Sequence, residues 1–138
     1  MAEPVESCQI DIRVRYAEVD QMGVVHHSRY WVYFEMGRTE LLRQQGIAYA
    51  HLEDDGALFV VAKCSARFLA PARYDEVLAL TTRIVKTGAA RIDHAYVLRR
   101  KSDATLLCTA ETTLACVDRQ GRIMPLPDAV KTARRDKP

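Results

Sequence analysis

The sequence predicts an α+β protein in which one long amphipathic helix is set against a five-stranded antiparallel sheet. Three observations carry that expectation. Apolar residues alternate with polar ones at Ile10, Ile12 and Val14, and the period then lengthens to helical spacing at Tyr30, Phe34, Gly37 and Leu41. From Val60 onward alternation returns, interrupted by short turns containing Gly or Asp. At 138 residues the chain is large enough for a core without staples. It reads as one domain over 1–138, with 1–7 and 130–138 as flexible ends.

The first strand is "CQIDIRVRY", whose polar face is Asp11, Arg13 and Arg15. After a loop containing Asp20 comes the helix, its stripe widened by Trp31 and Leu42. Ser28 is the expected N-cap and Gly46 the expected residue just past the end. Gly37 inside the helix costs about 1 kcal/mol relative to Ala, which predicts close packing against another element. In "FVVAKCSARFL" the residues Val60, Ala62, Cys64, Ala66 and Phe68 form one apolar face. "EVLALTTRIVK" and "RIDHAYVLRR" flank a hairpin signal at Gly88, and "ATLLCTAETTLACVD" follows a turn at Lys101 to Asp103. "PLPDAVKTARR" can start a short terminal helix with Asp128 as its cap. Short turns cannot make parallel crossovers, so the later strands are expected to run antiparallel. One helix can cover only one sheet face, which leaves the other face for solvent or a partner subunit.

Composition narrows the function classes. Hydrophobic residues make up 49% and charged residues 28%, ordinary for a soluble protein. A formal charge of +2 argues against nucleic acid or an anionic membrane as main partner. The basic cluster Arg119, Arg122, Lys131, Arg134, Arg135 and Lys137 reads as a solvated tail. Cys8, Cys64, Cys108 and Cys116 are scattered through strand-like runs with no zinc-like spacing. They read as small buried hydrophobes in a reducing compartment. "MAEPVESCQID" carries no signal-peptide pattern, and no segment has the length of a membrane span. A cytoplasmic location is expected.

Asp20 is the first candidate for chemistry. A carboxylate can attack an acyl carbon or take a proton from water, provided the developing charge is stabilised. Asp20 lies just ahead of a helix start, whose first N–H groups lack partners and carry partial positive charge. An acyl oxygen aimed there would meet an oxyanion hole, and Gly23 lets the connecting loop turn sharply and approach a ligand. From spacing alone a lone Asp in a turn reads first as an Asx-turn residue, and both readings stand at this point.

The histidines offer less. His26 and His27 are adjacent and point apart, with no carboxylate at facial-triad spacing, so no metal is expected. His94 shares a strand face with Ile92, Tyr96 and Leu98 and reads as a satisfied core histidine, while His51 falls in the loop after the helix. Ser28 and Ser65 lack a G-x-S-x-G elbow. Neither G-x-G-x-x-G nor a P-loop occurs, and no cofactor is expected. Glu35 and Arg38, three apart on the helix, form a structural ion pair. Arg67, Arg73, Lys86 and Arg91 can meet phosphates or can be solvated strand positions.

"YAEVDQMGVVHHSRYWVYFEMGRTELL" resembles the signature of hotdog-fold acyl-CoA thioesterases of the 4-hydroxybenzoyl-CoA thioesterase family, and is most similar to the Tol-Pal-associated branch. "FLAPARYDEVLALTTRIVKTGAARIDHAYVLRR" and "CVDRQGRIMPLP" resemble the family's later strands and its close. The resemblance runs from about Ile10 to Pro127. It implies the hotdog fold, a sheet wrapped around one long helix, and hydrolysis of an acyl-CoA thioester without cofactor. It implies Asp20 as the catalytic carboxylate, acting as nucleophile or general base, and the backbone N–H of His27 as the oxyanion donor. Gly23, Val25, His26, Tyr30, Ser65, Arg67 and Arg91 are the residues it assigns to the substrate. It further implies a homodimer assembling into a homotetramer, with the site between two subunits. His26 stands where the branch usually has Tyr, so the acyl-pocket wall differs and acyl preference does not carry over. Acyl-carrier protein is an alternative carrier. A non-catalytic acyl-CoA or acyl-carrier-protein binding module on the same fold is the competing function. A hotdog dehydratase lacks its His-containing loop here.

Overall fold

The structure is a computed structural model that describes residues 5–130. β1 (Ser7–Arg13) leads through a single 3-10 turn (Tyr16–Glu18) to α1 (His27–Gln44) and the short α2 (Tyr49–Asp54). Four strands follow: β2 (Leu58–Phe68), β3 (Val77–Thr87), β4 (Arg91–Arg100) and β5 (Leu106–Val117). The sheet order is β1-β3-β4-β5-β2, with every neighbouring pair antiparallel. The α+β class, the five antiparallel strands and the single long helix therefore stand as expected.

The hairpin turns also fall where Gly and Asp signalled them. Gly88 N–H donates to the Arg91 carbonyl at 2.8 Å to close β3 onto β4. The turn from Lys101 to Asp103 closes β4 onto β5, with Arg100 N–H donating to the Thr105 carbonyl at 2.8 Å. One arrangement exceeds a simple meander. β2 pairs with β5 rather than β3, and segment 69–76 carries the chain back across to β3. Alternation specifies which face of a strand is buried, not which strand lies beside it.

α1 buries Tyr30, Tyr33, Phe34, Gly37 and Leu41 against the sheet. Phe34 stacks on Tyr96 of β4, with ring centroids 4.6 Å apart. Leu78 and Leu80 of β3 and Leu98 of β4 complete this core. Gly37 has the predicted reason. A Cβ there would lie 2.2 Å from Thr82 Oγ1 and 2.8 Å from Leu80 Cδ2, so only Gly lets the helix lie this close to β3. A smaller cluster under α2 joins Ile47, Leu52, Ile92, Cys116, Leu126 and Val130.

Several expectations are corrected. β2 does not bury its apolar face: Val60 is 45% exposed and Phe68 48%. It is an edge strand with a bulge between Val61 and Lys63, and among the described residues no strand pairs with its outer side. Cys64 on β2 is exposed accordingly, while Cys8, Cys108 and Cys116 are buried. His51 lies in α2, not in a loop. Glu6 C=O accepts Ile84 N–H at 2.9 Å, Ser7 opens β1, and Val130 is buried. Asp128 stands inside the first turn of the terminal helix rather than capping it. The rest of "PLPDAVKTARR" and Lys131, Arg134, Arg135 and Lys137 of the basic cluster lie outside the described residues.

Candidate active site

The Asp20 loop is a miniature hairpin. Val19 pairs with Val25, Asp20 N–H donates to the Val24 carbonyl at 2.9 Å, and Gly23 N–H donates to the Asp20 carbonyl at 2.9 Å. Gly23 sits at φ +79°, the left-handed region that a side chain disfavours. The returning arm is fastened to segment 69–76: Val25 N–H donates to the Ala72 carbonyl at 2.8 Å. This backbone is held by hydrogen bonds along both arms although Asp20, Gln21 and Met22 at its tip are exposed.

Within it, Asp20 fills the Asx role with one oxygen only. Oδ1 accepts Met22 N–H at 2.8 Å and, weakly, Val24 N–H at 3.4 Å. Oδ2 has no partner among the described residues, and the side chain is exposed. The turn role and a chemical role are thus compatible in one side chain.

The helix begins two residues earlier than expected. His26, not Ser28, is the N-cap, with φ −66° and ψ 139°. Its Nδ1 accepts Ser28 N–H at 3.2 Å, doing with a ring nitrogen what Asp or Ser does with oxygen. The His26 and His27 rings lie side by side, centroids 4.2 Å apart. His27 is the first residue of α1, and no acceptor among the described residues takes its N–H. That is the orphan donor an oxyanion needs.

Two residues that sequence reasoning passed over hold this arrangement. Glu18 is 4% exposed. Its Oε1 accepts Arg15 N–H at 2.8 Å and the Tyr33 hydroxyl at 2.9 Å. Its Oε2 accepts Arg15 Nε–H at 3.2 Å and Nη2–H at 3.1 Å, and its carbonyl accepts His26 N–H at 2.9 Å. Burial pushes the Glu18 carboxyl up, but the hydrogen bonds from Arg15 and Tyr33 prevail and hold it below the usual range. Burial and the Glu18 contact raise the Tyr33 phenol in turn. The available signal was Arg15-x-x-Glu18 spacing at the end of a strand.

The remaining expected contacts divide into three groups. Val25 and Tyr30 are core residues, with Tyr30 edge-on to Phe68 at 5.0 Å, so neither presents a free surface. Ser65 and Arg91 share a cleft of about 180 Å³ with Lys63, Asp93 and Glu111. There Arg91 is already paired with Asp93 at 2.9 Å. Arg67 is exposed on β2, facing no carboxylate partner among the described residues. No hydrogen bond or ion pair among the described residues links this second group to the Asp20 loop.

A separate, mostly apolar space lies under the C-terminal half of α1. This cavity of about 210 Å³ is lined by Leu41, Leu42, Tyr49, Phe59, Ile84 and Leu114, with Arg38 and His94 at its polar side. Arg38 and Glu35 pair at 3.9 Å, as the helix spacing predicted. His94 is buried as expected but is not satisfied: Nδ1 has no partner among the described residues. Burial first, then the Arg38 charge, pushes its pKa down to about 4.

The family model of the thioesterase-like superfamily matches residues 14–133 of this two-layer α+β chain. The chain belongs to that superfamily. It is 33% identical over 110 residues to the putative acyl-CoA thioesterase YneP of Bacillus subtilis, a match covering 80% of this chain and 79% of the relative. It is 34% identical over 108 residues to the acyl-CoA thioester hydrolase YbgC of Escherichia coli O157:H7, covering 78% and 79%. Among solved structures, the hypothetical protein TT1821 of Thermus thermophilus is similar with a TM-score of 0.85 and 35% identity, over 92% of this chain and 94% of that one.

Proposed function

We propose that the protein hydrolyses acyl-CoA thioesters to free CoA and a carboxylic acid, with Asp20 as the reacting carboxylate and His27 N–H as the oxyanion donor. The observation that carries this reading is the divided role of Asp20. One oxygen anchors the turn through Met22 N–H at 2.8 Å, and the other is unclaimed one short loop ahead of an orphan helix N–H. The relatives named for acyl-CoA thioester hydrolysis support the substrate class.

Two routes use the same geometry. As nucleophile, Asp20 bonds to the acyl carbon and the C–S bond breaks. CoA then leaves as thiolate and takes up a proton, and water cleaves the mixed anhydride. As general base, Asp20 takes a proton from water as the water oxygen attacks the same carbon; the C–S bond then breaks, and the proton passes to the departing CoA thiolate. In both, negative charge develops on the acyl oxygen, where a fixed N–H dipole stabilises it without reorganising.

A thiol-release assay over short, long and aromatic acyl-CoAs tests the reading, with Asp20→Asn as the decisive variant. The amide oxygen of the introduced side chain keeps the Met22 contact, so the fold persists while turnover falls by roughly 100-fold or more. Full activity in the Asp20→Asn variant would remove Asp20 from the mechanism. Tight binding of CoA esters without turnover across the panel would favour the binding-module reading. Running the panel on acyl-carrier-protein thioesters in parallel decides the carrier.

The reading extends to assembly. Asp20, His26 and His27 are exposed on a single chain, whereas thioester chemistry gains from excluding water. The eleven-residue β2 is an open edge bearing exposed Val60, Val61 and Phe68, the feature that invites pairing with another strand. We take the working unit to be one domain per chain, paired through such edges into a homodimer and then a homotetramer, so that Ser65 and Arg67 of one copy serve the Asp20 loop of another. Light scattering that finds only monomer in active samples would sink this part. Membership of the Tol-Pal-associated branch, with His26 as an altered pocket wall, and a cytoplasmic setting for the unpaired buried thiols belong to the same proposal. Among the described residues no helix is long and apolar enough to cross a membrane.

A further inference from the structure

We infer that Glu18 is a positioning residue for the thioesterase reaction, setting the distance and angle between Asp20 and the His27 N–H. The inference rests on the assignment of those two groups above, and it concerns how they are held.

The argument is one of connectivity. Asp20 follows Glu18 by two residues, and His27 follows His26 by one. Glu18 binds His26 directly, through its own carbonyl at 2.9 Å from His26 N. Its carboxylate reaches Tyr33, six residues into α1, at 2.9 Å. The same carboxylate caps the 3-10 turn through Arg15 N–H at 2.8 Å. One residue therefore ties the outgoing arm of the loop, the returning arm and the second turn of the helix. The path that fixes the reacting carboxylate relative to the oxyanion donor runs through it.

The chemistry explains why the residue is a carboxylate. Four N–H or O–H groups converge on it, and only an ionised carboxylate offers acceptors on both oxygens. A glutamine could keep Arg15 N–H and Tyr33 on its oxygen, but its NH2 would face the Arg15 guanidinium donors. Both Glu18 oxygens are committed and the residue is 4% exposed, so it cannot itself meet substrate. Asp20, two residues on, has the opposite balance: exposed, with one oxygen free. Misplacing a reacting group by about 1 Å costs on the order of 100-fold in rate. A loosened Glu18 should therefore be visible in turnover well before it is visible in binding.

The test is a set of steady-state measurements on the intact protein well below its melting temperature, using Glu18→Gln, Tyr33→Phe and the double variant beside Asp20→Asn. Glu18→Gln is expected to lower kcat roughly 10- to 100-fold with KM within about 2-fold, and Tyr33→Phe to lower kcat by a smaller factor. The double variant should lose less than the product of the two single losses, because both changes act on the contacts of one carboxylate. A purely structural role predicts the opposite pattern: a lower melting temperature with kcat and KM unchanged in the folded protein. That result, or independent multiplication of the two effects, overturns the inference. If Glu18→Gln does not fold, Tyr33→Phe carries the test alone, since it removes one hydroxyl and keeps the ring in the core; unchanged kcat there also overturns it. An inactive Asp20→Asn with a fully active Glu18→Gln discards this inference only. A fully active Asp20→Asn discards the mechanism on which it rests.

Discussion

The two ends of α1 are built on opposite plans. At its start, every turn of the Asp20 loop is hydrogen-bonded and held to segment 69–76, while the side chains of Asp20, His26 and His27 stand in water. Toward its end, side chains turn inward around an apolar cavity of about 210 Å³, and the polar groups there, Arg38 and His94, are poorly partnered. Chemistry requires reactive atoms that are free on a backbone that is not. A cavity requires the reverse, with apolar walls and room between them. The β2 edge and the carboxylate loop share that openness, both being exposed among the described residues.

The largest effect should come from breaking the start of the helix at a single atom. His27→Pro removes the orphan N–H and little else. Proline suits the first helical position, and His26 already has the extended conformation a residue before proline prefers. Turnover is expected to fall about 100- to 1,000-fold, or about 3 to 4 kcal/mol of barrier, with the circular dichroism spectrum unchanged. His27→Ala should stay within a few fold of the parent, since the proposed role is the backbone's. Equal losses in both variants would mean that the imidazole, not the amide, meets the substrate.

Between the two ends lies Gly37, which sets how closely the whole helix lies on the sheet. Gly37→Ala gains about 1 kcal/mol of helix propensity. It also drives a methyl group to within 2.2 Å of Thr82 Oγ1 and 2.8 Å of Leu80 Cδ2, and overpacking of this kind costs typically about 1–3 kcal/mol. A net loss of about 2 kcal/mol is expected as a lower urea midpoint with an unchanged m-value. Because both ends of α1 ride on that contact, activity at low temperature reports whether the start is held independently. If the Glu18 and Ala72 hydrogen bonds anchor it, turnover survives the loss of stability.

How much of this was legible in the sequence follows the same division. The buried stripe Tyr30, Phe34, Gly37 and Leu41 and the alternating strands were readable because burial imposes a period on the chain. Asp20, Gly23 and the helix start were readable because a turn and a cap have local residue requirements. Glu18 was not: its partner Tyr33 is fifteen residues away, and a carboxylate at a strand end looks solvated until the fold buries it. The edge position of β2 was hidden for a related reason. "FVVAKCSARFL" has the pattern of a half-buried strand, yet Val60 and Phe68 are nearly half exposed in the fold. His26 as a cap was missed because imidazole nitrogen rarely fills a role that Ser28, two residues on, fills commonly.

The smallest effect concerns the cavity end and turns on His94. The ring is 5% exposed, and both burial and Arg38 on α1 disfavour its charged form, with Asp93 beside it on β4 opposing weakly. Its pKa is pushed from the ordinary 6.5 to about 4. The unfolded chain therefore takes a proton on this residue as pH falls through 6.5, while the folded chain refuses it until near 4. Unfolding then gains protons over that window, so the contribution of a neutral His94 is fully present above the unfolded value and declines as the solution is acidified. Between about pH 7.5 and 5.5 this amounts to about 1 kcal/mol. The measurement is the difference between the parent and His94→Leu in urea midpoint across that range, which cancels the carboxylates common to both. A flat difference would mean that the ring is protonated inside the fold. The cavity end would then hold a charge, and the contrast with the solvent-facing start of the helix would be one of shape alone.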